Sequence, residues 1–129
     1  LIRVPIPKRG NPLATRLEYR SPDPSCNPYL AFSLMLAAGL KGVRNGYELP
    51  VEADANLFEL DDRALGKLGI GQLPQSLSEA LHVMERSELV HEALGEHIFE
   101  WYVRNKRREW MDYKTHVSQF EIDRYLGTL

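Results

Sequence analysis

Cysteine occurs once in this sequence, at Cys26, so no disulfide can form within the chain, and a lone thiol fits a reducing cytosol. No motif marks Cys26 as a nucleophile, and it is read as inert. An excess of one charge is also missing: 16 Lys and Arg against 18 Asp and Glu leave a formal net charge of -2. A balance this even gives no overall pull toward nucleic acid or an anionic membrane, so electrostatic recognition has to be local. Long apolar runs are absent as well. The longest, residues 29–40, is interrupted by Ser33 and Gly39. It falls short of the ~20 residues that span a bilayer and reads as a buried helix. His91-Glu92 is followed by Ala93-Leu94-Gly95, which is not the spacing of a two-histidine metal site. His82, His91, His97 and His116 are therefore read as surface or half-buried helix residues. There is no internal repeat and no low-complexity tract.

What is present suffices for one compact domain: 129 residues, 43% of them hydrophobic. Residues 1–7 alternate apolar and other side chains and carry two prolines, which suits an edge strand. Lys8-Arg9-Gly10-Asn11-Pro12 is a basic turn leading into a second strand at about 14–20, and the two are expected to pair as a hairpin. Ser21-Pro22-Asp23-Pro24 ends the strand, because proline removes ladder donors. Asn27-Pro28 then starts a helix running to about 43, apolar almost all round and so expected to be buried on several faces. Arg44-Asn45-Gly46 offers its left-handed cap.

From 47 to 75 periodicity is weak, and Pro50, Gly66, Gly69, Gly71 and Pro74 break the pattern; such a stretch is a functional flap or packs on something else. Ser76-Leu77-Ser78-Glu79 reads as a capping box opening a short helix that ends near Ser87. Helical spacing then runs from about 88 to 113, with Gly95 placed to bend or interrupt it. A second capping box, Ser118-Gln119-Phe120-Glu121, opens a terminal helix through Leu126, stopped by Gly127. Arg104-Asn105-Lys106-Arg107-Arg108-Glu109-Trp110 mixes basic and aromatic residues, but with Glu100, Glu109 and Asp112 beside it the stretch reads as a solvated helix face or a subunit contact. The expected class is α+β, an N-terminal β-hairpin followed by a mainly helical body.

Chemistry concentrates in Arg16-Leu17-Glu18-Tyr19-Arg20. On a strand, side chains alternate faces at about 3.3 Å per residue, which puts Arg16, Glu18 and Arg20 on one face and Leu17 and Tyr19 on the other. A guanidinium is a permanently charged fork that matches carboxylate or phosphate oxygens, and a carboxylate held between two of them stays ionised. Glu18 is also a hard oxygen donor for Mg²⁺ or Mn²⁺. The pattern alone leaves two readings open, a surface ladder of ion pairs or a site for phosphate and metal.

Arg16 to Arg20, the Pro22-Asp23 step and Asn27-Pro28-Tyr29-Leu30-Ala31 together resemble the segment that closes the active site of glutamine synthetases, where the pattern reads roughly Arg-Ile-Glu-x-Arg, Pro-Asp, Asn-Pro-Tyr-Leu. The resemblance continues through Gly39-Leu40-Lys41-Gly42 and Asn56-Leu57-Phe58 to Glu121-Ile122-Asp123-Arg124-Tyr125-Leu126, and so spans essentially the whole chain. It implies a type I, bacterial member. The chain begins at Leu1 without methionine, and Leu1-Ile2-Arg3-Val4-Pro5 looks like a family strand entered partway. Residues 1–129 are accordingly expected to be the C-terminal part of a catalytic domain.

The resemblance implies roles residue by residue. Glu18 matches a metal-ligand carboxylate, and Arg20 matches the arginine that contacts glutamate; no separate catalytic residue is assigned. Arg3 and Arg16 match arginines facing ATP phosphates. A family lysine that reaches ATP from the preceding turn falls here on an apolar residue, which leaves Lys8 or Arg9 as candidates for that contact, or as solvated turn residues. Best-known bacterial members carry an adenylylated tyrosine in Asn-Leu-Tyr-Asp-Leu, whereas this chain reads Asn56-Leu57-Phe58-Glu59-Leu60 and offers no hydroxyl there.

The implied activity is ATP-dependent ligation of glutamate to ammonia through γ-glutamyl phosphate, with Mg²⁺ or Mn²⁺ as cofactor and ATP as co-substrate. The implied assembly is a cytoplasmic double-ring homo-oligomer with no nucleic-acid or membrane partner. A polyamine or other small amine as acceptor, and a non-catalytic assembly or regulatory module, are the alternatives. The isolated chain is expected to be inactive and, with its sheet edges unpaired, to associate with itself.

Overall fold

The computed structural model describes residues 2–6, 10–11, 14–53 and 56–128. Its strands are much shorter than the alternation suggests. Strand β1 is Ile2–Arg3 and β2 is Glu18–Tyr19, paired antiparallel with Ile2 opposite Tyr19 and Arg3 opposite Glu18. The hairpin pairing is as expected. Pro5 on one side and Pro22 on the other have no N–H to donate, so neither strand can extend its ladder far.

Helix α1 spans Pro28–Asn45, and its ends follow local chemistry. The Asn27 side chain accepts from the N–H groups of Tyr29 (3.0 Å) and Leu30 (3.4 Å), and Pro28 occupies a position where an N–H would go unpaired. At the other end Gly46 takes φ +62, ψ +42, its N–H donating to Val43 O while the Tyr47 N–H donates to Gly42 O. This pair of bonds is the Schellman closure, which needs a left-handed residue and so favours glycine.

Burial of α1 is less than its composition asks for. Leu30, Ala31, Leu34, Met35 and Ala37 are half-buried, but no residue of the helix is fully buried. Tyr29, Phe32, Leu36, Leu40 and Val43 form an exposed stripe along the opposite side. The expected burial on several faces is met on one face, the one packed on α4.

Residues 47–75 hold more structure than their broken pattern suggests. Asn56 caps a 3₁₀ turn at Leu57–Glu59, and Asp61 caps a short helix, α2 (Asp62–Lys67), by accepting from the Ala64 N–H at 2.7 Å. Helix α3 is Leu77–Glu85, α4 is Glu88–Lys114 and α5 is Gln119–Tyr125. Ser118 and Glu121 form the complete capping box expected for α5. At α3 the box is shifted by one residue: Ser76 accepts from the Glu79 N–H, but the Glu79 carboxylate reaches back to the Gln75 N–H. A 3₁₀ turn at Leu126–Thr128 carries the chain on through Gly127, which therefore does not stop it.

Gly95 interrupts α4 as expected, with φ +72 and ψ +158. Across the break His91 meets the edge of Phe99, ring centroids 4.8 Å apart. Both α1 and α3 pack on α4, and the buried apolar core is Leu81 of α3 with Leu94 and Val103 of α4. An ion pair between Arg107 of α4 and Glu85 of α3, at 2.6 Å, ties these two helices together beside that core. Among the described residues no helix is long and apolar enough to cross a membrane.

Candidate active site

The β1–β2 pair brings four charged side chains to one place. Period-two alternation puts Arg16 and Arg20 on the face of Glu18, and the antiparallel register sets Arg3 directly opposite it. Arg3 Nη1 donates to both carboxylate oxygens of Glu18, at 3.2 Å to Oε1 and 3.0 Å to Oε2. Arg16 Nη2 donates to Oε1 at 3.1 Å and Arg20 Nη2 to Oε2 at 2.9 Å. The Glu18 side chain is 25% exposed, while the arginines keep 56 to 61% of their side-chain surface open.

These bonds set the charge state. Hydrogen bonds first from Arg20 and then from Arg3, with a smaller one from Arg16, hold the Glu18 carboxyl at about 2, against an ordinary value of 4.5. Glu18 is thus ionised across the working range. Three guanidiniums around one carboxylate leave the cluster cationic, with surplus donors facing solvent. Such an arrangement takes up anions with planar or tetrahedral oxygens, namely carboxylates and phosphates.

Glu18 meets one requirement of a divalent metal, an ionised hard oxygen. Among the described residues no group of three or more His, Cys, Asp or Glu side chains converges to complete a shell. Glu18 would supply one carboxylate to a Mg²⁺-like ion, whose other ligands would come from water, phosphate or residues beyond those described.

A rigid turn links this cluster to α1. Asp23 Oδ1 accepts from the Ser25 hydroxyl (2.5 Å) and the Ser25 N–H (2.7 Å), and the Cys26 N–H donates to the Asp23 carbonyl. The Ser25 bonds, the hydroxyl's first, lower the Asp23 pKa. With Pro22 and Pro24 fixing φ on either side, the segment after Arg20 has few conformations open to it. Cys26 is free and exposed.

Of the other residues singled out in the sequence, Lys8 and Arg9 lie outside the described residues. Phe58 projects fully into solvent from its 3₁₀ turn. The basic stretch of α4 is occupied within the chain: Lys106 pairs with Glu109 at 2.6 Å, which raises the lysine's pKa, and Arg104 stacks over Trp101 at 5.7 Å. His82 lies exposed on α3, its Nδ1 2.7 Å from the Ser78 carbonyl oxygen, as a bland surface histidine does. Sequence spacing found Arg16, Glu18 and Arg20 as a group but gave no contact between Glu18 and Arg3. The signal for that contact is the strand register, which the lengths of the two strands do not determine.

Residues 1–125 match the family described as glutamine synthetase, catalytic domain. The chain belongs to the glutamine synthetase family. It is 48% identical over 127 residues to the glutamine synthetase of Mycobacterium bovis, covering 98% of this chain and 28% of that protein. The glutamine synthetase of Methanosarcina mazei is 48% identical over 129 residues, covering 100% of this chain and again 28% of the relative. Among solved structures, a GmaS/ADP complex superposes with a TM-score of 0.74 at 32% identity, over 88% of this chain and 25% of that one. The chain therefore spans about 28% of the length of the glutamine synthetases it matches. Within the family's catalytic-domain match lie the β1–β2 pair and the whole arginine–glutamate cluster.

Proposed function

We propose that this chain is the C-terminal part of the catalytic domain of an ATP-dependent glutamate–ammonia ligase, a glutamine synthetase. The observation that carries this is the convergence of Arg3, Arg16 and Arg20 on an ionised Glu18, within a chain belonging to that family. Arg20 orients the glutamate substrate through its carboxylate. Arg3 and Arg16 hold phosphate oxygens of ATP, with Lys8 as a further candidate. Glu18 provides one oxygen ligand for Mg²⁺ or Mn²⁺, which when bound supplies additional neutralisation of phosphate charge.

The reaction needs those cations because two anionic groups, the γ-carboxylate of glutamate and the terminal phosphate of ATP, must approach each other. The γ-carboxylate of glutamate attacks the terminal phosphorus of ATP, forming γ-glutamyl phosphate and releasing ADP. Ammonia then attacks the acyl carbon, inorganic phosphate leaves, and a proton lost from nitrogen gives glutamine. Guanidiniums fixed before the reaction stabilise the charge that shifts during it.

Among the described residues nothing completes a metal shell, so the rest of that shell and the remaining nucleotide contacts would come from the remainder of the full-length protein, and the isolated chain is expected to be inactive. A homo-oligomer, as in double-ring members of the family, gives the exposed stripe of α1 and the segment 47–75 surfaces to meet.

The test is phosphate release from ATP by the full-length protein, dependent on glutamate and on Mg²⁺ or Mn²⁺, with ammonia and putrescine offered separately. Release with ammonia is expected. Release with putrescine alone reassigns the protein to amine glutamylation, and no release with either, from folded protein, points to a non-catalytic module.

A further inference from the structure

Between Arg20 and the start of α1 almost every residue is restricted by a proline. Pro22 and Pro24 have φ fixed by their rings, and Ser21, Asp23 and Asn27 each precede a proline, which biases them to extended backbone. Ser25 and Cys26 escape both restrictions. Those two are the residues that Asp23 ties down: its Oδ1 accepts from the Ser25 N–H at 2.7 Å and the Ser25 hydroxyl at 2.5 Å, and its carbonyl accepts from the Cys26 N–H at 3.0 Å. Arg20 lies one residue past the end of β2, so the ladder that holds Glu18 does not include it. We infer that Asp23 is a positioning residue for glutamate binding, setting Arg20 relative to the helical body through the turn it closes on Ser25.

This rests on the reading above that Arg20 receives glutamate. The turn is anchored at its far end, because Asn27 caps α1 and α1 packs on α4. Its near end is Arg20, whose guanidinium meets Glu18 Oε2 at 2.9 Å with more than half of the arginine side chain exposed. An ion pair this open is individually weak and does not by itself fix the arginine backbone. The direction of Arg20 then depends on the chain that follows it. Arg3 and Arg16 precede Glu18 in the sequence, so a loosened turn reaches Arg20 before it reaches them.

Asp23 acts here as a hydrogen-bond acceptor and not as a charge. Asparagine keeps the Oδ1 acceptor and forms the same turn, whereas alanine removes both Ser25 bonds while leaving the backbone restriction before Pro24 in place. A role confined to stability behaves differently, since it lowers the amount of folded enzyme, and with it the apparent kcat, without moving the KM for glutamate. Direct contact of the carboxylate with substrate is different again, because asparagine then fails as alanine does.

The experiment is steady-state kinetics of the full-length protein, with glutamate and ATP varied in turn, for the wild type, Asp23→Ala, Asp23→Asn and Arg20→Ala. Asp23→Ala is expected to raise the KM for glutamate roughly tenfold and to leave that for ATP within about twofold. Asp23→Asn is expected to keep the glutamate KM within about twofold of the wild type. An unchanged glutamate KM in Asp23→Ala, with Arg20→Ala impaired, overturns the positioning role and leaves the reading of Arg20 standing. Arg20→Ala with the wild-type KM for glutamate, or a wild type without glutamate-dependent turnover, overturns both. Asp23→Asn as impaired as Asp23→Ala overturns positioning in favour of direct contact. Should Asp23→Ala fail to fold, Ser25→Ala decides, since it removes the hydroxyl bond and keeps the N–H bond. A rise of roughly threefold in its glutamate KM supports the turn, and an unchanged KM overturns it.

Discussion

The guanidinium of Arg20, one residue beyond the end of β2, meets the carboxylate of Glu18 at 2.9 Å, and Arg3 meets the same carboxylate from β1 opposite. One carboxylate thus adds a side-chain link between two strands of only two residues each.

A pH dependence follows from that contact. The Glu18 pKa is lowered on folding to about 2, by Arg20 first and then by Arg3, from an ordinary 4.5. A depressed carboxyl contributes stability that is fully present above the unfolded value and is lost as pH falls through the folded one. The β1–β2 pairing should therefore persist at pH 4.5 and weaken between there and about pH 2. Carbon-13 NMR of the Glu18 carboxyl should give a midpoint near 2, and a midpoint near 4.5 would show that the arginines do not hold it in solution.

Two glycines should differ in what they tolerate. At Gly46 (φ +62) an added Cβ meets nothing within 4 Å, so Gly46→Ala costs only the left-handed backbone, about 1 to 2 kcal/mol. Gly95 combines φ +72 with ψ +158, a region essentially closed to other residues, and Gly95→Ala should cost about 1 to 3 kcal/mol. Urea denaturation of the two variants measures both. A stabilised Gly95→Ala would mean that α4 runs unbroken in solution.

Phe58 leads to a prediction about modification. It is fully exposed yet has no hydroxyl to accept an adenylyl group. Treatment with an adenylyltransferase should leave the mass of the peptide containing Asn56-Leu57-Phe58-Glu59-Leu60 unchanged, and a gain of AMP on it would overturn the alignment of this segment. Phe58→Ala should also leave stability within about 0.5 kcal/mol, whereas Leu94→Ala, in the core, should cost about 2 to 5 kcal/mol.

What could be seen in the sequence was what short-range chemistry decides. Asn27-Pro28 and Gly46 fix the ends of α1 through bonds to neighbours a few residues away, and Ser118 with Glu121 does the same for α5. The grouping of Arg16, Glu18 and Arg20 was legible for a similar reason, since period two needs only a strand. Helix α2 went unseen although Asp61 is a good cap, because six residues followed closely by Gly69 give too little periodicity to register. The contact of Arg3 with Glu18 depends on register across a turn, which neither strand encodes alone. Apolar composition told how much surface α1 has to bury, and only its α4-facing side is covered within this chain.

Glu18→Ala in the full-length protein tests the central claim most directly, with metal-dependent turnover and oligomeric state followed together. Loss of glutamate-dependent phosphate release and of its Mg²⁺ or Mn²⁺ dependence, with assembly retained, is the predicted result. Unchanged turnover and metal dependence would contradict it and leave the arginine–glutamate cluster as a structural ion pair.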